Sequence, residues 1–436
     1  MPTIDILDEA QRLKNFWQLR DAQMVIDRNI LNLVPPPKKA DEVQWMSNEP
    51  KVFYDTAVGL ISAYPPRFHL PLSTDFTEEQ KAKMNKAERF LLGIFRYLDN
   101  KQMSCGQTYW LRELAYWVLS GWYAIFNAVI EENGETNFIA DFWDPMTVYP
   151  EWTSDGLTKC IRQFQTDKMT AMMLVENWKT KGLKTEFKEP VDSNQWLDVI
   201  NYWRVDKKEV RNAIYINGSE VKSLTLEKQF DKIPIFVGAV GIPERGSSGW
   251  QARFGESIIA ANRDMYDYEN KIIRLMATIL AETAYPNLVS KTQSGEPVTK
   301  DGLKGYGQET SLKVGETMEM LKHAATPEEG FQLLNWIVRQ RQKASFSDTT
   351  YGSIPNIEIS GFALSQYLAS IKYKIGPYLT TMQHIVSGLA SETLRQYKKN
   401  RSKPITLLTT NPKELKKGLF FMEEFKAEDV PDVIFV

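Results

Sequence analysis

The sequence predicts an α+β fold in which long helices stand before and after a strand-rich middle. Apolar residues recur at helical spacing over two long stretches, 254–284 and 362–398. The segment 137–240, between the N-terminal helices and the first of these stretches, has short alternating patterns typical of strands, separated by turn residues. A length of 436 residues leaves room for two or three domains.

Composition limits the classes of function. Lys and Arg number 53 against 55 Asp and Glu, a net charge of −2, which argues against gripping nucleic acid by bulk positive charge. Cys105 and Cys160 indicate no disulfide framework and fit a reducing cytoplasm. The N-terminus lacks the pattern of a signal peptide. The apolar window 109–130 contains Arg112 and Glu113 and predicts a buried helix, not a membrane span.

The first third of the chain is predicted to be mostly helical. Thr77 and Gln80 have the spacing of a capping box at one helix start. Prolines after residues 34 and 64 end the first two helical patterns. The predicted elements are helices at 4–33, 45–63, 77–98 and 107–127, with a short strand at 68–72.

The middle of the chain is predicted to be a strand region. Asn217-Gly218 is a strong hairpin signal between two of the strands. The predicted strands are 137–141, 147–152, 157–165, 196–205, 210–216, 220–226 and 234–240, with a short helix at 167–179 and a polar loop at 180–194.

A helix, an insert and a returning helix organise the third quarter of the chain. Apolar doublets seven residues apart give the helix 254–284 one apolar face, and Tyr285-Pro286 ends it. The insert 287–326 contains short strands at 287–291, 310–314 and 317–321. The returning helix, 327–346, carries Arg339, Arg341 and Lys343 at its negative end. By spacing alone, the stretch fits an ordinary antiparallel helix pair with a loop at its tip.

The last quarter begins with a polar loop, 347–360, and continues as the longest helical pattern, 362–398. Gly376-Pro377 lies in its middle and predicts one kinked helix instead of two helices. The tail is predicted to form a strand at 405–409, a helix at 412–425 and a strand at 431–436.

Known catalytic motifs are not found in the sequence. There is no phosphate-binding loop of the Walker type, and the G-x-x-G-x-G string at 302–307 fits a flexible tip better than a nucleotide site. His69, His323 and His384 lack the paired spacing of metal ligands. We therefore expect no enzymatic activity, no cofactor and no metal.

The order of elements resembles the portal proteins of tailed bacteriophages. In the segment 141–152, Asp144-Pro145 precedes a strand pattern that ends in Tyr149-Pro150 and Trp152. The strand pattern 233–238, followed by Gly255-x-Ser257, resembles the entry to the first stem helix of that family. The resemblance covers most of the chain and depends on the succession of elements.

The resemblance implies a portal-type fold with a mixed wing, a two-helix stem, a small β-containing clip and a long kinked tunnel helix. A crown is expected to be short or missing, unless the chain is incomplete. The implied parts are wing 1–252, first stem helix 253–285, clip 286–326, second stem helix 327–346, tunnel loop 347–361, kinked wing helix 362–398 and C-terminal wing strands with a short tail 399–436.

The resemblance also implies partners. Subunits of this family form a closed ring, typically of twelve copies, at one vertex of the virion capsid, and are assembled in the host cytoplasm. Double-stranded DNA passes through the ring during packaging and ejection. The expected partners are further copies of the chain, the DNA, the large terminase ATPase, the major capsid protein and a head-completion or adaptor protein. No membrane is implied.

Candidate site residues follow from the implied parts. The channel candidates are Arg339, Arg341, Lys343, Ser347, Thr349, Thr350, Tyr351 and Ser353. The clip candidates for ATPase or adaptor docking are Lys291, Glu296, Lys300, Asp301 and Lys304. Gly376 and Pro377 mark the kink. Arg339, Arg341 and Lys343, which precede the tunnel loop, can line the channel, or they can cap the helix and pair with a neighbour. A near-neutral channel suits sliding DNA, since each neutralised phosphate adds affinity.

Two other functions stay open at this point. Asp141, Asp144 and Glu151 are carboxylates beside a strand that could bind Mg²⁺ in a metal-dependent nuclease. The chain could also be a capsid or adaptor protein without a channel.

Overall fold

The computed structural model describes residues 5–37, 43–70, 76–132, 134–179, 196–241, 246–284, 288–292, 315, 317–320, 328–346, 361–400, 402–410 and 419–431. The chain divides into two compact units. Unit 1 comprises Met1–Asp27, Tyr54–Ile258 and Phe362–Val436, and unit 2 comprises Arg28–Phe53 and Ile259–Gly361. The fold is a mixed α+β fold with antiparallel sheets.

Helices make up much of both ends of the described chain, as predicted. They are α1 Ile6–Leu31, α2 Glu49–Ser62, α3 Glu78–Ser104, α4 Trp110–Leu119, α5 Lys168–Lys179, α6 Arg263–Ala284, α7 Glu328–Ala344 and α8 Gly361–Lys399. The capping box of α3 is confirmed, because Gln80 N donates to Thr77 Oγ1 and Thr77 N donates to Gln80 Oε1. Within the described residues, no helix combines the length and apolar character needed to cross a membrane.

The strands form four antiparallel groups within the described residues. They are β1 Trp122–Glu132, β2 Glu135–Phe142, β3 Val148–Thr153, β4 Gly156–Thr166, β5 Leu197–Asp206, β6 Glu209–Ile216, β7 Ser219–Leu226, β8 Ile235–Ala239, β9 Leu288–Lys291, β10 Thr317–Met320, β11 Ile405–Thr409 and β12 Phe421–Phe425.

Strand order follows the sequence in the five-stranded sheet but not in the three-stranded sheet. One sheet has the order β2-β1-β8 and the other runs β3-β4-β5-β6-β7. The predicted turn between β6 and β7 is confirmed, since Asn217 and Gly218 both have positive φ, 47° and 74°. The strands β9 and β10 pair with each other, as do β11 and β12.

An aromatic cluster forms the core of unit 1. Trp17 of α1 is 1% exposed and lies edge-on to Trp122 of β1 and Trp152 of β3, with ring centroids 5.2 and 5.9 Å away. Its indole nitrogen donates to the Pro150 carbonyl at 2.9 Å. The buried guanidinium of Arg20 lies 4.8 Å from the Trp122 ring centroid. These contacts fix α1 against the two sheets.

The C-terminal half of α8 is fixed to unit 1 by buried polar side chains. Gln396 accepts from the backbone N–H of Val129 at 2.9 Å, and Thr393 donates to Asn127 Oδ1 at 3.2 Å. The Tyr397 hydroxyl donates to the Phe425 carbonyl at 2.8 Å. The helix thus supplies partners to both β1 and β12.

The predicted helix 107–127 is wrong in its second half. Helix α4 ends at Leu119, and residues 122–132 form β1. Gly121 adopts a φ of 93°, and a Cβ there would lie 2.9 Å from the Glu256 carbonyl carbon. The left-handed glycine ends the helix, and sheet pairing with β2 and β8 then outweighs helical propensity.

The predicted helix 254–284 starts too early. Helix α6 begins at Arg263, after short 3₁₀ turns at Trp250–Arg253 and Ala260–Asn262. Between these turns the backbone bonds to other elements of unit 1: Glu256 N donates to Val240 O at 2.8 Å and Ile258 N to Leu119 O at 3.0 Å.

The remaining predicted elements have different outcomes. Residues 421–425, predicted as helix, form β12. The predicted strand at 68–72 is not formed at residues 68–70, although Phe68 and Leu70 are buried. The predicted helix at 362–398 is confirmed as α8. The predicted elements at 180–194, 310–314, 347–360 and 432–436 lie outside the described residues.

Candidate functional site

Helices α6 and α7 of unit 2 share one buried face. On α6 the buried side chains are Tyr266, Glu269, Asn270 and Arg274, and on α7 Ile337 and Arg341. The segment before α2 runs beside α6, because Ser47 N donates to Asn270 Oδ1 at 2.9 Å and Val43 N to Thr278 Oγ1 at 3.0 Å. At the end of α7, the ring of Phe346 meets Phe53 edge-on, with centroids 4.8 Å apart.

An ion cluster joins three elements inside this unit. Arg341 Nε lies 3.2 Å from Glu269 Oε2, and Arg341 Nη1 lies 3.4 Å from Glu49 Oε1 in the first turn of α2. Neither nitrogen makes an aligned hydrogen bond, and Glu269 Oε2 also has none. The contacts are therefore charge pairs without hydrogen-bond geometry.

Burial controls the electrostatics of this cluster. It raises the pKa of the Glu269 carboxyl, and the neighbouring Arg341 opposes that shift. Burial also raises the pKa of Tyr266, and an interaction with the Asn262 side chain opposes that shift. Asn262 Nδ2 donates to the Arg341 carbonyl at 2.9 Å. The cluster holds one cation between two carboxylates in a largely dry site.

Apolar side chains also cover the outer faces of the two helices. On α6, Tyr268 is 58% exposed and Leu275 49%. On α7, Phe331 is 51% exposed and Trp336 52%. Tyr268, Ile272, Leu275 and Ile279 follow the i, i+4, i+7, i+11 spacing of one helical stripe, which we call the outer stripe. This pair of helices therefore carries apolar surface on two sides.

The basic candidates on α7 divide into two kinds. Arg339 and Lys343 are exposed, and Lys343 Nζ donates to Gln340 Oε1 at 3.0 Å. Arg341 is buried and forms ion pairs with carboxylates of its own chain. In the single chain it is therefore a paired residue and not an exposed one. The other channel candidates, Ser347, Thr349, Thr350, Tyr351 and Ser353, lie outside the described residues.

One clip candidate lies within the described residues. Lys291 is exposed at the end of β9, opposite Thr317 of β10. The remaining candidates, Glu296, Lys300, Asp301 and Lys304, lie outside the described residues.

The kink candidates lie inside one continuous helix. Helix α8 runs through Pro377 without interruption, as predicted. Thr381 Oγ1 donates to the Pro377 carbonyl at 2.9 Å. Both an internal proline and this type of side-chain bond bend helices, which favours the predicted kink. A Cβ added at Gly376 would meet nothing within 4 Å.

The three carboxylates of the nuclease hypothesis have separate surroundings. Asp144 accepts from Met146 N at 2.9 Å and so caps a 3₁₀ turn. Glu151 pairs with Arg12 at 3.1 Å and Lys159 at 3.0 Å. Asp141 lines a polar pocket of about 400 Å³ with Arg162. Within the described ranges, no group of three or more His, Cys, Asp or Glu could hold a metal ion.

An apolar pocket of about 580 Å³ lies in unit 1, between the end of α2 and α8. Its walls include Tyr64, Phe68, Leu379 and Met382. Sequence reasoning missed this pocket and the outer apolar residues of α7. The sequence did contain a signal for the outer apolar residues of α7. Phe331, Leu333 and Trp336 fall on more of the helix circumference than a single buried face needs.

Comparison with known proteins finds distant similarities among solved structures. No protein-family profile matches the sequence, and no curated protein matches it. A solved structure described as "Neck of empty GTA particle computed with C6 symmetry" is similar over 80% of this chain and 78% of that chain, at 11% identity and a TM-score of 0.40. A similarity at that level identifies neither family nor function.

Proposed function

We propose that the chain is a subunit of a head-to-tail connector of portal type, which forms a closed ring and lets double-stranded DNA pass. The observation that carries the proposal is the outer stripe on α6 together with exposed Phe331 and Trp336 on α7. A self-contained helix pair needs one apolar face on each helix, whereas these helices have apolar residues on their outer sides too.

Two different outer faces suit a head-to-tail interface between copies. If the outer face of α6 in one copy packs against the outer face of α7 in the next, every copy uses both faces. Such an interface is heterologous, and it produces a ring when the rotation closes. A closed ring would leave neither face exposed.

The order of elements supports the portal assignment. A strand-rich region precedes α6, the β9–β10 pair follows it, and α7 and the long α8 come next. This is the succession that the sequence resemblance implies for wing, stem, clip and tunnel helix.

The proposed channel chemistry uses few cations. Arg341 is engaged with Glu269 and Glu49, so Arg339 and Lys343 are the α7 cations left to face DNA. Few phosphate contacts per copy keep the salt-dependent affinity low enough for sliding. On the same proposal, the clip around Lys291 docks the large terminase ATPase and later the head-completion protein, and the major capsid protein surrounds the ring in the virion.

The mass and shape of the purified protein test the proposal. Twelve copies of the 50.2 kDa chain would form an assembly of roughly 600 kDa. We expect this mass by light scattering and ring-shaped particles with a central hole by electron microscopy. A stable monomer at both low and high salt would contradict the proposal. Rings or plates without a hole would favour a channel-free capsid or adaptor protein.

A further inference from the structure

The hairpin that joins β5 to β6 turns through two lysines. Asp206 and Glu209 are the last paired residues of the two strands, so Lys207 and Lys208 form a two-residue loop. Both lysines have positive φ, 49° and 70°, as a type I′ turn requires. Residues with a Cβ avoid this region, and glycine or asparagine normally occupies it. The tip of this hairpin therefore has a backbone conformation that its own residues disfavour.

The charges at the same end of the hairpin are also placed unfavourably. Arg204 lies directly opposite Arg211. Two positions nearer the tip, Asp206 lies directly opposite Glu209. Like charges at directly opposite positions of an antiparallel pair are destabilising. The same four residues in alternating order would be neutral without like-charged neighbours.

Ion pairs along each strand offset this arrangement. Arg204 pairs with Asp206 at 2.7 Å. Arg211 pairs with Glu209 at 3.1 Å. These pairs use up all four charges and leave none of them to neutralise the tip.

Two cations therefore remain at the end of the hairpin. Lys207 and Lys208 are exposed, and within the part of the chain that the structure describes neither side chain forms a hydrogen bond or an ion pair. The next hairpin of the same sheet has the favoured Asn217-Gly218 turn, so the sheet does not demand a strained one. Departures from local preference that concentrate at one place are expected at functional sites. What this place presents is positive charge.

The chemistry of the tip favours phosphate over carboxylate as the group that it binds. The planar fork of arginine suits carboxylates best, and both arginines of this hairpin end are already paired. The two remaining cations are ammonium groups, which attract phosphate as point charges. Contacts of this kind to a nucleic-acid backbone are independent of base sequence.

We propose that Lys207 and Lys208 bind phosphate groups of double-stranded DNA, at a site in unit 1 additional to the cations of α7 in unit 2. The choice of double-stranded DNA as the partner rests on the proposed function, whereas the site itself rests on the hairpin. Two point-charge contacts per copy carry no sequence information, so the duplex can slide along them.

DNA binding by the purified full chain tests the site. Fluorescence anisotropy of a short labelled duplex is measured over a series of salt concentrations. We expect K207Q/K208Q to weaken binding and to reduce the slope of log affinity against log salt by about 2, since each phosphate contact contributes roughly 0.9. No binding by the parent at low salt, or equal binding by parent and K207Q/K208Q, would overturn the proposal.

Two further variants control for charge. K207R/K208R keeps both cations at the tip and should bind DNA like the parent. K81Q/K83Q removes two lysines from surface pairs on α3 and should also bind like the parent. A loss in K81Q/K83Q equal to that in K207Q/K208Q would show that only net charge matters, and would contradict a site at the tip.

Thermal stability distinguishes a binding role from a structural one. K207N/K208G gives this hairpin the turn sequence of the next one, so we expect the Tm to rise by about 1–3 °C while DNA binding falls. A structural role predicts the opposite sign for the Tm. A Tm below that of the parent would therefore contradict the proposal.

Two comparisons separate this proposal from its alternatives. If K207Q/K208Q loses binding to polyglutamate but keeps its binding to DNA, the tip belongs to an acidic protein partner and the proposal is wrong. Light scattering on the same samples tests the ring independently. Rings whose DNA binding ignores the tip contradict the site alone, and a monomer that binds DNA through the tip contradicts the ring alone.

Discussion

The indole nitrogen of Trp122 donates a hydrogen bond to the carbonyl oxygen of Phe254 at 2.6 Å. This bond joins the start of β1 to a segment 132 residues later in the chain. Gly255 follows at once with a φ of 97°, and its Cα faces Trp122 and the Gly121 carbonyl so closely that no side chain fits.

Gly255→Ala is therefore expected to destabilise the protein by about 2–3 kcal/mol, through overlap and a left-handed backbone. Gly376→Ala is the matched control, because a Cβ there meets nothing within 4 Å and the residue lies inside α8. Chemical denaturation of both variants measures the difference. Equal stability of the two would show that the segment at Gly255 can move away without cost.

A charge on the outer stripe is expected to prevent assembly without unfolding the chain. Leu275→Glu places a carboxylate in the proposed interface, where it would be buried without a partner. Ala281→Glu is exposed on the same helix, about 120° around its axis from Leu275. Light scattering should show small species for the first variant and the parent mass for the second. Intact assemblies of Leu275→Glu would remove α6 from the interface.

Acid is expected to weaken the attachment of α1. The hydrogen bond from Arg12, assisted by Lys159, lowers the pKa of Glu9 from 4.5 to about 2. Because the folded pKa is the lower one, the stabilisation is present above pH 4.5 and is lost as the pH falls toward 2.

Glu9→Gln should accordingly reduce stability at pH 7 by about 1 kcal/mol, and the difference from the parent should vanish near the lower end of that pH range. Glu78→Gln serves as the control, since the Glu78 side chain is 90% exposed and its pair with Lys81 is a surface pair. Urea denaturation across the pH range gives both curves. A constant difference at all pH values would exclude the ionised carboxylate as the cause.

The double substitution Gly376→Ala and Pro377→Ala is expected to straighten α8. Alanine restores the backbone donor that proline lacks and removes the ring clash with the preceding turn. We expect the Tm to stay the same or rise, since alanine favours helix at both positions, whereas DNA packaging in reconstituted particles should fall. The bend, and not the fold, would then be what packaging requires. Loss of ring assembly together with packaging would refute this separation.

Local signals predicted some elements well. Thr77 and Gln80 marked the start of α3, and Asn217-Gly218 marked a hairpin, because capping and turn chemistry act within a few residues. The strand β1 was missed because the aromatic spacing around Trp110 continued past Gly121. Residues 122–130 are almost wholly apolar, a pattern that fits a buried helix as well as a buried strand, and the pairing with β2 and the distant β8 decides the outcome.

The ion pairs of Arg341 in the candidate site could not be predicted for a similar reason. Its partner Glu49 lies at the opposite end of the sequence, so no local pattern could identify the ion cluster. One signal did exist: Arg341 follows buried Ile337 by four residues and therefore lies on the same side of α7. Arg339 and Lys343, two positions away on either side, fall on other sides of the helix and are exposed.

Unit 1 is built from three separate pieces of the chain, and the last of them carries Gln396 and Tyr397, which bond to Val129 and Phe425. A nascent chain therefore has its two larger sheets synthesised but not yet covered by α8 while residues 259–361 of unit 2 emerge from the ribosome. Throughout that interval, the face of β1 that α8 will cover is open to water and to other unfinished chains. Truncated products that stop before α8 should consequently aggregate, and yield during expression should respond more to translation rate and chaperone supply than to the stability of the finished protein.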